Sequence, residues 1–179
     1  MLNAADSLVK ANIADRCPAA ISNILHPMLV SAVAFSLLIA ASDNPLVQKV
    51  WLGIVAILFS SLIPIGFLYT YRDRLNTDER TERFLPLVAG IVCYFAGFLL
   101  LWFMHAPAVV QALMFCYATN TLLVLAITLW WKVSVHTTAI SGPLVAIAYA
   151  FGFVVFPFYL LIPVVGIARV ILKNTQWRR

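Results

Sequence analysis

Six apolar stretches separated by short polar segments make up most of this chain. They cover about 27–42, 50–71, 84–104, 108–131, 138–155 and 158–172. A helix needs roughly 20 apolar residues to cross a bilayer. Inside lipid every backbone N–H and C=O group must be paired within the protein, so stretches of this kind are predicted to be helices. We therefore predict an all-α fold, an integral membrane bundle of about six transmembrane helices.

A few residues in these stretches and their connections interrupt the apolar pattern. The segment 105–107 predicts a very tight turn between the third and fourth helices. Pro157 is expected to break the fifth helix, because proline removes a backbone donor and its ring clashes with the preceding turn. Gln111 and Asn120 are polar residues inside the fourth helix, and we expect them to form hydrogen bonds between helices.

The first residues have a different pattern, typical of a short amphipathic helix. Leu2, Ala5 and Val9 fall near one face at helical spacing, and polar side chains occupy the rest of the surface. We expect no cleavable signal peptide, because no basic start runs straight into an apolar core. The predicted organisation is an amphipathic interfacial segment over 1–26 and a six-helix transmembrane domain over 27–179.

Composition supports a membrane protein. Hydrophobic residues make up 63% of the chain and charged residues 11%, against roughly 25% charged residues in an ordinary soluble domain. These values exclude a disordered chain, a disulfide scaffold and almost any soluble globular domain. The three cysteines show no zinc-binding spacing, and no metal-binding cluster or nucleic-acid pattern is present. We therefore expect no metal, no cofactor and no nucleic-acid partner.

The distribution of charge predicts an orientation in the membrane. Six crossings put both termini on one side, together with the polar segments 72–83 and 132–136. Of the twelve Lys and Arg residues, all but Lys49 fall on or near this side, which we call the basic face. Since cytoplasmic loops carry an excess of Lys and Arg, the basic face is predicted to be cytoplasmic.

Several segments that are distant in sequence converge on the basic face and form a candidate phosphate site. Their candidate residues are Arg80, Arg83, Lys132, Ser134, His136 and Arg169. The unpaired N–H groups at a helix start bind phosphate, and Arg side chains clamp phosphoryl oxygens. Ser134 and His136 would point to nearly opposite sides of a continuous helix. To act together on one phosphate, both must lie in the turn before the fifth helix, and we expect them there.

Segment 131–137, Trp-Lys-Val-Ser-Val-His-Thr, resembles the second motif of the type 2 phosphatidic acid phosphatase (PAP2-like) family of helical membrane lipid-phosphate phosphatases. That motif is Pro-Ser-Gly-His, and Ser134 and His136 match its Ser and His. Segment 80–86 is similar to the Arg-rich, proline-ended first motif of divergent members. Ala168 and Arg169 are similar to the Ser-Arg pair that opens the third motif. The three segments occur in the family's order along the chain.

The resemblance implies roles for the candidate residues. Four cationic residues would bind the substrate phosphate, namely Arg80, Arg83, Lys132 and Arg169. Ser134 would position the phosphate, and His136 would be the general acid that protonates the leaving alkoxide. The family's nucleophile is a His six residues after the third-motif Arg, oriented by an Asp four residues later. Those positions hold Thr175 and Arg179 here, so the third-motif His is missing.

The missing nucleophile leaves several functions open. The leading hypothesis is a divergent PAP2-like protein that binds or hydrolyses a lipid phosphate or pyrophosphate, and would be a phosphatase-like hydrolase if active. Three explanations of the missing His are open: catalysis has been lost, another residue is the nucleophile, or the chain is cut short. The alternative is a non-catalytic transmembrane subunit of a photosynthetic or respiratory complex, holding lipid or pigment. A lipid carrier is a third hypothesis. The expected partners are membrane lipids, a lipid phosphate and, for the alternative, other membrane subunits.

Overall fold

The computed structural model describes residues 27–71, 84–128, 130, 135–160 and 162–164. Within them there are helices and no strand, which confirms the all-α fold class for the described part. The α-helices are α1 (Pro27–Ala40), α2 (Leu46–Tyr71), α3 (Phe84–Phe103), α4 (Ala108–Thr128) and α5 (Val135–Phe151). A 3₁₀ helix, Gly152–Leu160, follows α5. The amphipathic segment predicted over 1–26 lies outside the described residues.

Three of these helices, α2, α3 and α4, are long and apolar enough to cross a membrane. Helices α1 and α5 are shorter, with 14 and 17 residues. Large apolar side chains project outward from the long helices, for example Val92, Trp102 and Leu123, each more than half exposed. Water-soluble proteins rarely expose an apolar surface of this extent. The surface therefore fits a lipid environment, and the count of six crossings stays a prediction.

Helices α3 and α4 form an antiparallel hairpin. Aromatic rings pair along its length, with centroids 5.4 Å apart for Tyr94 and Tyr117 and 5.2 Å apart for Phe98 and Phe115. The connection is the tight turn predicted at 105–107, where the Ala106 N–H donates to the Leu101 carbonyl at 3.0 Å. A positive φ of 53° at His105 allows the chain to reverse so abruptly.

Helix α2 runs antiparallel to both α1 and α3. At one end the Gln48 Nε2 donates to the Met104 carbonyl at 3.1 Å, and the Lys49 Nζ donates to the Ala40 carbonyl at 2.9 Å. The Lys49 ammonium thus stabilises the C-terminus of α1, where carbonyl groups are unpaired. Further along, Phe59 of α2 lies against Gly97 of α3.

The antiparallel packing brings one set of helix ends together. These ends are Pro27 of α1, Tyr71 of α2, Phe84 of α3, Thr128 of α4 and Val135 of α5. We call this end of the bundle end A. The opposite end, which contains the turn at 105–107 and Lys49, is end B. The segments 72–83 and 129–134 each join two residues of end A.

The helix ends differ from prediction at α5. Pro157 was expected to end this helix, and that expectation is wrong. Helix α5 ends at Phe151, because Gly152 adopts a positive φ of 73°, a conformation that terminates helices and suits glycine. Pro157 lies inside the 3₁₀ helix that follows.

The two polar residues of α4 also differ from prediction. The Gln111 Nε2 donates to the Ala106 carbonyl at 2.7 Å, and the Asn120 Nδ2 donates to the Cys116 Sγ at 3.4 Å. Both bonds stay within α4 and the turn that precedes it, so neither of them links two helices as expected.

Substitution of Gly97 tests the close contact between α2 and α3. A Cβ added at Gly97 would lie 2.7 Å from the Phe59 Cβ, so the two backbones would have to separate. We expect Gly97→Ala to lower the free energy of unfolding by about 1–3 kcal/mol, as overpacking does. The measurement is the midpoint of thermal unfolding of the detergent-solubilised protein.

Gly53→Ala is the matched control for this substitution. A Cβ added at Gly53 would have no heavy atom within 4 Å, and alanine is the better helix former. We therefore expect an unchanged or slightly higher midpoint. Equal midpoints for the two variants would contradict the close contact at Gly97.

Candidate functional site

Most residues of the predicted phosphate site lie outside the described part of the chain. These residues are Arg80, Arg83, Lys132, Ser134 and Arg169. The backbone of His136 is described as the second residue of α5. The expectation that His136 precedes this helix is therefore wrong. The prediction that His136 lies beside unpaired N–H groups still stands, because the first four N–H groups of a helix have no partner within it.

Charged residues are almost absent from the described helices. Lys49 is the single Lys or Arg among the described residues, and Asp43 the single acidic residue. Both belong to end B. Groups of three or more metal-binding side chains are also absent from the described part. The cations predicted to bind phosphate all lie outside the described residues, so their convergence on one face stays a prediction.

A cluster of buried hydroxyl groups joins three helices in the core, and we call it the hydroxyl cluster. It contains Ser31 of α1, Ser60 and Ser61 of α2 and Tyr117 of α4, all less than a tenth exposed. The Ser31 and Ser61 Oγ atoms are 2.9 Å apart, and those of Ser60 and Ser61 are 3.3 Å apart. The Tyr117 hydroxyl is hydrogen-bonded to Ser31.

The protons of the hydroxyl cluster have a common acceptor. The Ser31 and Ser61 hydroxyl groups each reach the Met28 carbonyl, at 2.9 and 3.0 Å. When one of them donates to this carbonyl, the other can donate to its serine neighbour. Buried hydroxyl groups are costly unless they are paired, so this arrangement makes their burial tolerable.

A π-helical turn places the two adjacent serines in the core. It covers Leu58–Leu62 within α2, and the Ile63 N–H donates to the Leu58 carbonyl, five residues back. The wider turn adds a residue to one helical repeat, which lets Ser60 and Ser61 both face inward. Sequence reasoning missed this cluster. The available signal was the pair of adjacent serines in an otherwise apolar helix.

The described hydroxyl cluster is suited to holding helices together. A serine becomes a nucleophile only with an adjacent base. In the described part of the chain, Ser31, Ser60 and Ser61 form their hydrogen bonds with hydroxyl and carbonyl oxygens. Its hydrogen bonds connect α1, α2 and α4, three helices that end at end A. The cluster therefore helps to fix the relative placement of α1, α2 and α4, each of which has one end at end A.

Comparisons of the chain with protein-family models, with curated proteins and with solved structures found no match. The function is therefore argued from the residues and their placement.

Ser61→Ala tests the hydroxyl cluster. The substitution removes the contacts to Ser31, Ser60 and the Met28 carbonyl while leaving the size of the side chain almost unchanged. We expect the free energy of unfolding to fall by about 1 kcal/mol, the usual value for hydrogen bonds between membrane helices. The measurement is thermal unfolding in detergent.

Ser36→Ala is the control, because the Ser36 hydroxyl donates only to the Ala32 carbonyl of its own helix. We expect an unfolding midpoint close to that of the parent protein. If both alanine variants unfold at the same temperature, the hydroxyl cluster does not stabilise the bundle.

Proposed function

We propose that this chain is a divergent PAP2-like integral membrane protein that binds a lipid phosphate or pyrophosphate at its basic face. In this proposal Arg80, Arg83, Lys132 and Arg169 bind the phosphate oxygens. Ser134 positions the phosphate, and His136 is the general acid where hydrolysis occurs. The proposal depends on the resemblance of three ordered sequence segments to the family's motifs.

The observation that best supports the proposal is the position of two motif segments relative to the bundle. Segment 72–83, which carries Arg80 and Arg83, joins Tyr71 to Phe84, and both of these residues belong to end A. Segment 129–134, which carries Lys132 and Ser134, joins α4 to α5 at the same end. Four candidate residues that are up to about fifty positions apart thus belong to connections at one end of the bundle.

The start of α5 provides groups that suit an anion. The helix begins at Val135, so His136 lies in its first turn. The free N–H groups and the positive end of the helix dipole attract phosphate there. Lys132 and Ser134 come directly before this turn in sequence. A cationic side chain, a hydroxyl group, free N–H groups and an imidazole are thereby contributed by one short stretch of chain.

Hydrolysis needs an attacking group, and the expected position holds Thr175. A threonine hydroxyl group is a poor nucleophile without a base. Binding of the lipid phosphate is therefore the part of the proposal that the residues support directly. Hydrolysis requires a nucleophile from elsewhere in the chain or from a partner.

The missing third-motif His favours one alternative function, a non-catalytic transmembrane subunit of a larger membrane complex, photosynthetic or respiratory. Such a subunit would keep the bundle as a scaffold and hold lipid or pigment against its helices. The apolar outer surface of α2, α3 and α4 suits contacts with either lipid or other membrane subunits. Retention of Ser134, His136 and Arg169 favours the phosphate-binding function.

The proposal includes an orientation. With six crossings, both termini and the basic face lie in the cytoplasm, since Lys and Arg concentrate on that side of membrane proteins. Lys49, which belongs to end B, is the exception among the twelve cationic residues.

Binding and hydrolysis are tested with the purified protein in detergent and a panel of lipid phosphates and pyrophosphates. We expect Arg169→Ala to weaken binding about tenfold or more, because a charge-assisted contact to phosphate is lost. Release of phosphate, if it occurs, should disappear in His136→Ala. Lys49→Ala is the control, since it removes one positive charge at the opposite end of the bundle.

Three results would decide the assignment. Unchanged affinity in Arg169→Ala would contradict the phosphate site. Binding of the lipid without any release of phosphate would identify a protein that has kept the binding site and lost catalysis. Release abolished by His136→Ala would identify an enzyme with an unconventional nucleophile, and Thr175→Val would be measured next.

The orientation is tested with a cysteine placed at Asp78 in a variant that lacks the three native cysteines. We expect this cysteine to resist membrane-impermeant thiol reagents in intact cells and to react after the cells are opened. A cysteine placed at Asp43, which belongs to end B, is the control and should react in intact cells. The reverse pattern would invert the predicted topology.

A further inference from the structure

A groove runs along the outside of the bundle between α4 and α5. Its volume is about 500 Å³. Small residues give it depth, and it is lined by Ala108, Ala112, Cys116, Asn120, Gly142 and Ala146. The two helices touch at its floor, where a Cβ added to Gly142 would lie 3.6 Å from the Cys116 Sγ and 3.9 Å from the Asn120 Nδ2.

The shape of the groove suits an extended chain. A crease between two helices that touch at Gly142 accepts an extended chain, such as a hydrocarbon tail, along its length. The apolar walls suit such a tail, because contact with hydrocarbon leaves no polar group of the wall unpaired.

The electrostatic character of the groove selects an uncharged occupant. No Lys, Arg, Asp or Glu is among its described lining residues. A phosphate or carboxylate would therefore lose its hydration there without gaining a counter-charge. Polar atoms come from Asn120, Cys116 and Ser141, which lie near one another, and from Tyr149 further along. The polar part of the groove is dipolar and carries no net charge.

Asn120 indicates what the occupant must present. Its amide makes one hydrogen bond, from Nδ2 to the Cys116 Sγ at 3.4 Å, and sulfur is a weak acceptor. Among the described residues nothing else pairs with the second N–H of this amide or with its carbonyl oxygen. In an apolar environment an amide that is paired so weakly is costly. An oxygen atom of an occupant would accept from the free N–H, and a hydroxyl group would also donate to the carbonyl oxygen.

From these observations we propose that the groove between α4 and α5 binds an uncharged lipid whose carbonyl or hydroxyl oxygen hydrogen-bonds to Asn120. The apolar tail lies along the small residues of the groove toward end B. This site is separate from the phosphate site at end A and uses none of its residues. It would operate whether or not the chain hydrolyses a lipid phosphate.

The probe for this test is a diacylglycerol with a photoactivatable diazirine in one acyl chain, added to the full-length protein in nanodiscs. We expect saturable crosslinks to peptides of α4 and α5, located by mass spectrometry. Unlabelled diacylglycerol should compete, whereas hexadecane and the matching phosphatidic acid should compete far less. Hexadecane lacks the oxygen, and phosphatidic acid has the same tails with a charged phosphate.

Two variants test the residues, and two are matched controls. Asn120→Leu removes the amide at similar size and should weaken binding about tenfold, the effect of one lost hydrogen bond. Gly142→Ala adds a methyl group that meets its neighbours at ordinary contact distance, so it should fold normally and reduce crosslinking. Thr119→Val is the control for Asn120→Leu, because the Thr119 hydroxyl group bonds only to carbonyl groups of its own helix. Gly53→Ala is the control for Gly142→Ala, because Gly53 lies in α2, away from the groove. Neither control should change crosslinking.

Cys116 gives a second readout in a variant where Cys17 and Cys93 are serine. Because Cys116 lines the groove, diacylglycerol should slow its reaction with a small apolar thiol reagent. Several outcomes would overturn the proposal. Crosslinks spread evenly over the outer surface would show that the groove is not preferred. Equal competition by hexadecane or phosphatidic acid, or full crosslinking in Asn120→Leu, would show that the hydrogen bond to Asn120 does not select the lipid. A disulfide between the Cys116 residues of two copies would show that a second copy occupies the groove.

Discussion

Helices surrounded by hydrocarbon gain little from burying one more apolar side chain, because lipid tails are as apolar as leucine. Close backbone contacts and hydrogen bonds between helices must therefore hold such a bundle together. Both are present here. Gly97 lets α3 approach Phe59 of α2, and the hydroxyl cluster joins α1, α2 and α4. These contacts hold α2 against α1 and α3, while aromatic pairs such as Phe98 and Phe115 pack α3 against α4.

The π-helical turn that buries the two serines also affects the part of α2 that leads to end A. The π-helical turn at Leu58–Leu62 places Ser60 and Ser61 inward and changes the rotation of the rest of α2 relative to its first part. The π-helical turn that buries the two serines thus affects the direction in which α2 continues toward Tyr71. Segment 72–83 begins at Tyr71, so packing in the core influences where the predicted phosphate-binding arginines are attached.

The two proposed binding regions differ in chemistry and involve the same pair of helices. The start of α5 belongs to the predicted basic face, where a helix N-terminus would suit an anion. Beyond it, α4 and α5 form an uncharged groove with a weakly paired amide at Asn120, which suits a neutral lipid. Charge separates the two regions, because a phosphate would be unstable in the groove and a hydrocarbon tail gains nothing at a solvated basic loop.

The apolar runs by themselves determined the helical class, the positions of α1 to α4 within a few residues and the turn at 105–107, because an apolar environment requires every backbone group to be paired. The candidate residues His136 and Arg169 came from the distribution of charge and from the resemblance of short segments to family motifs, and they stay predictions. Only the tertiary structure decided which polar side chains meet. In a helix that is apolar on every side, the pattern does not distinguish the lipid-facing surface from the core, so the partners of Ser61 and the groove beside Asn120 had no periodic signal. The end of α5 likewise depended on the backbone conformation of Gly152, which outweighed the signal from Pro157.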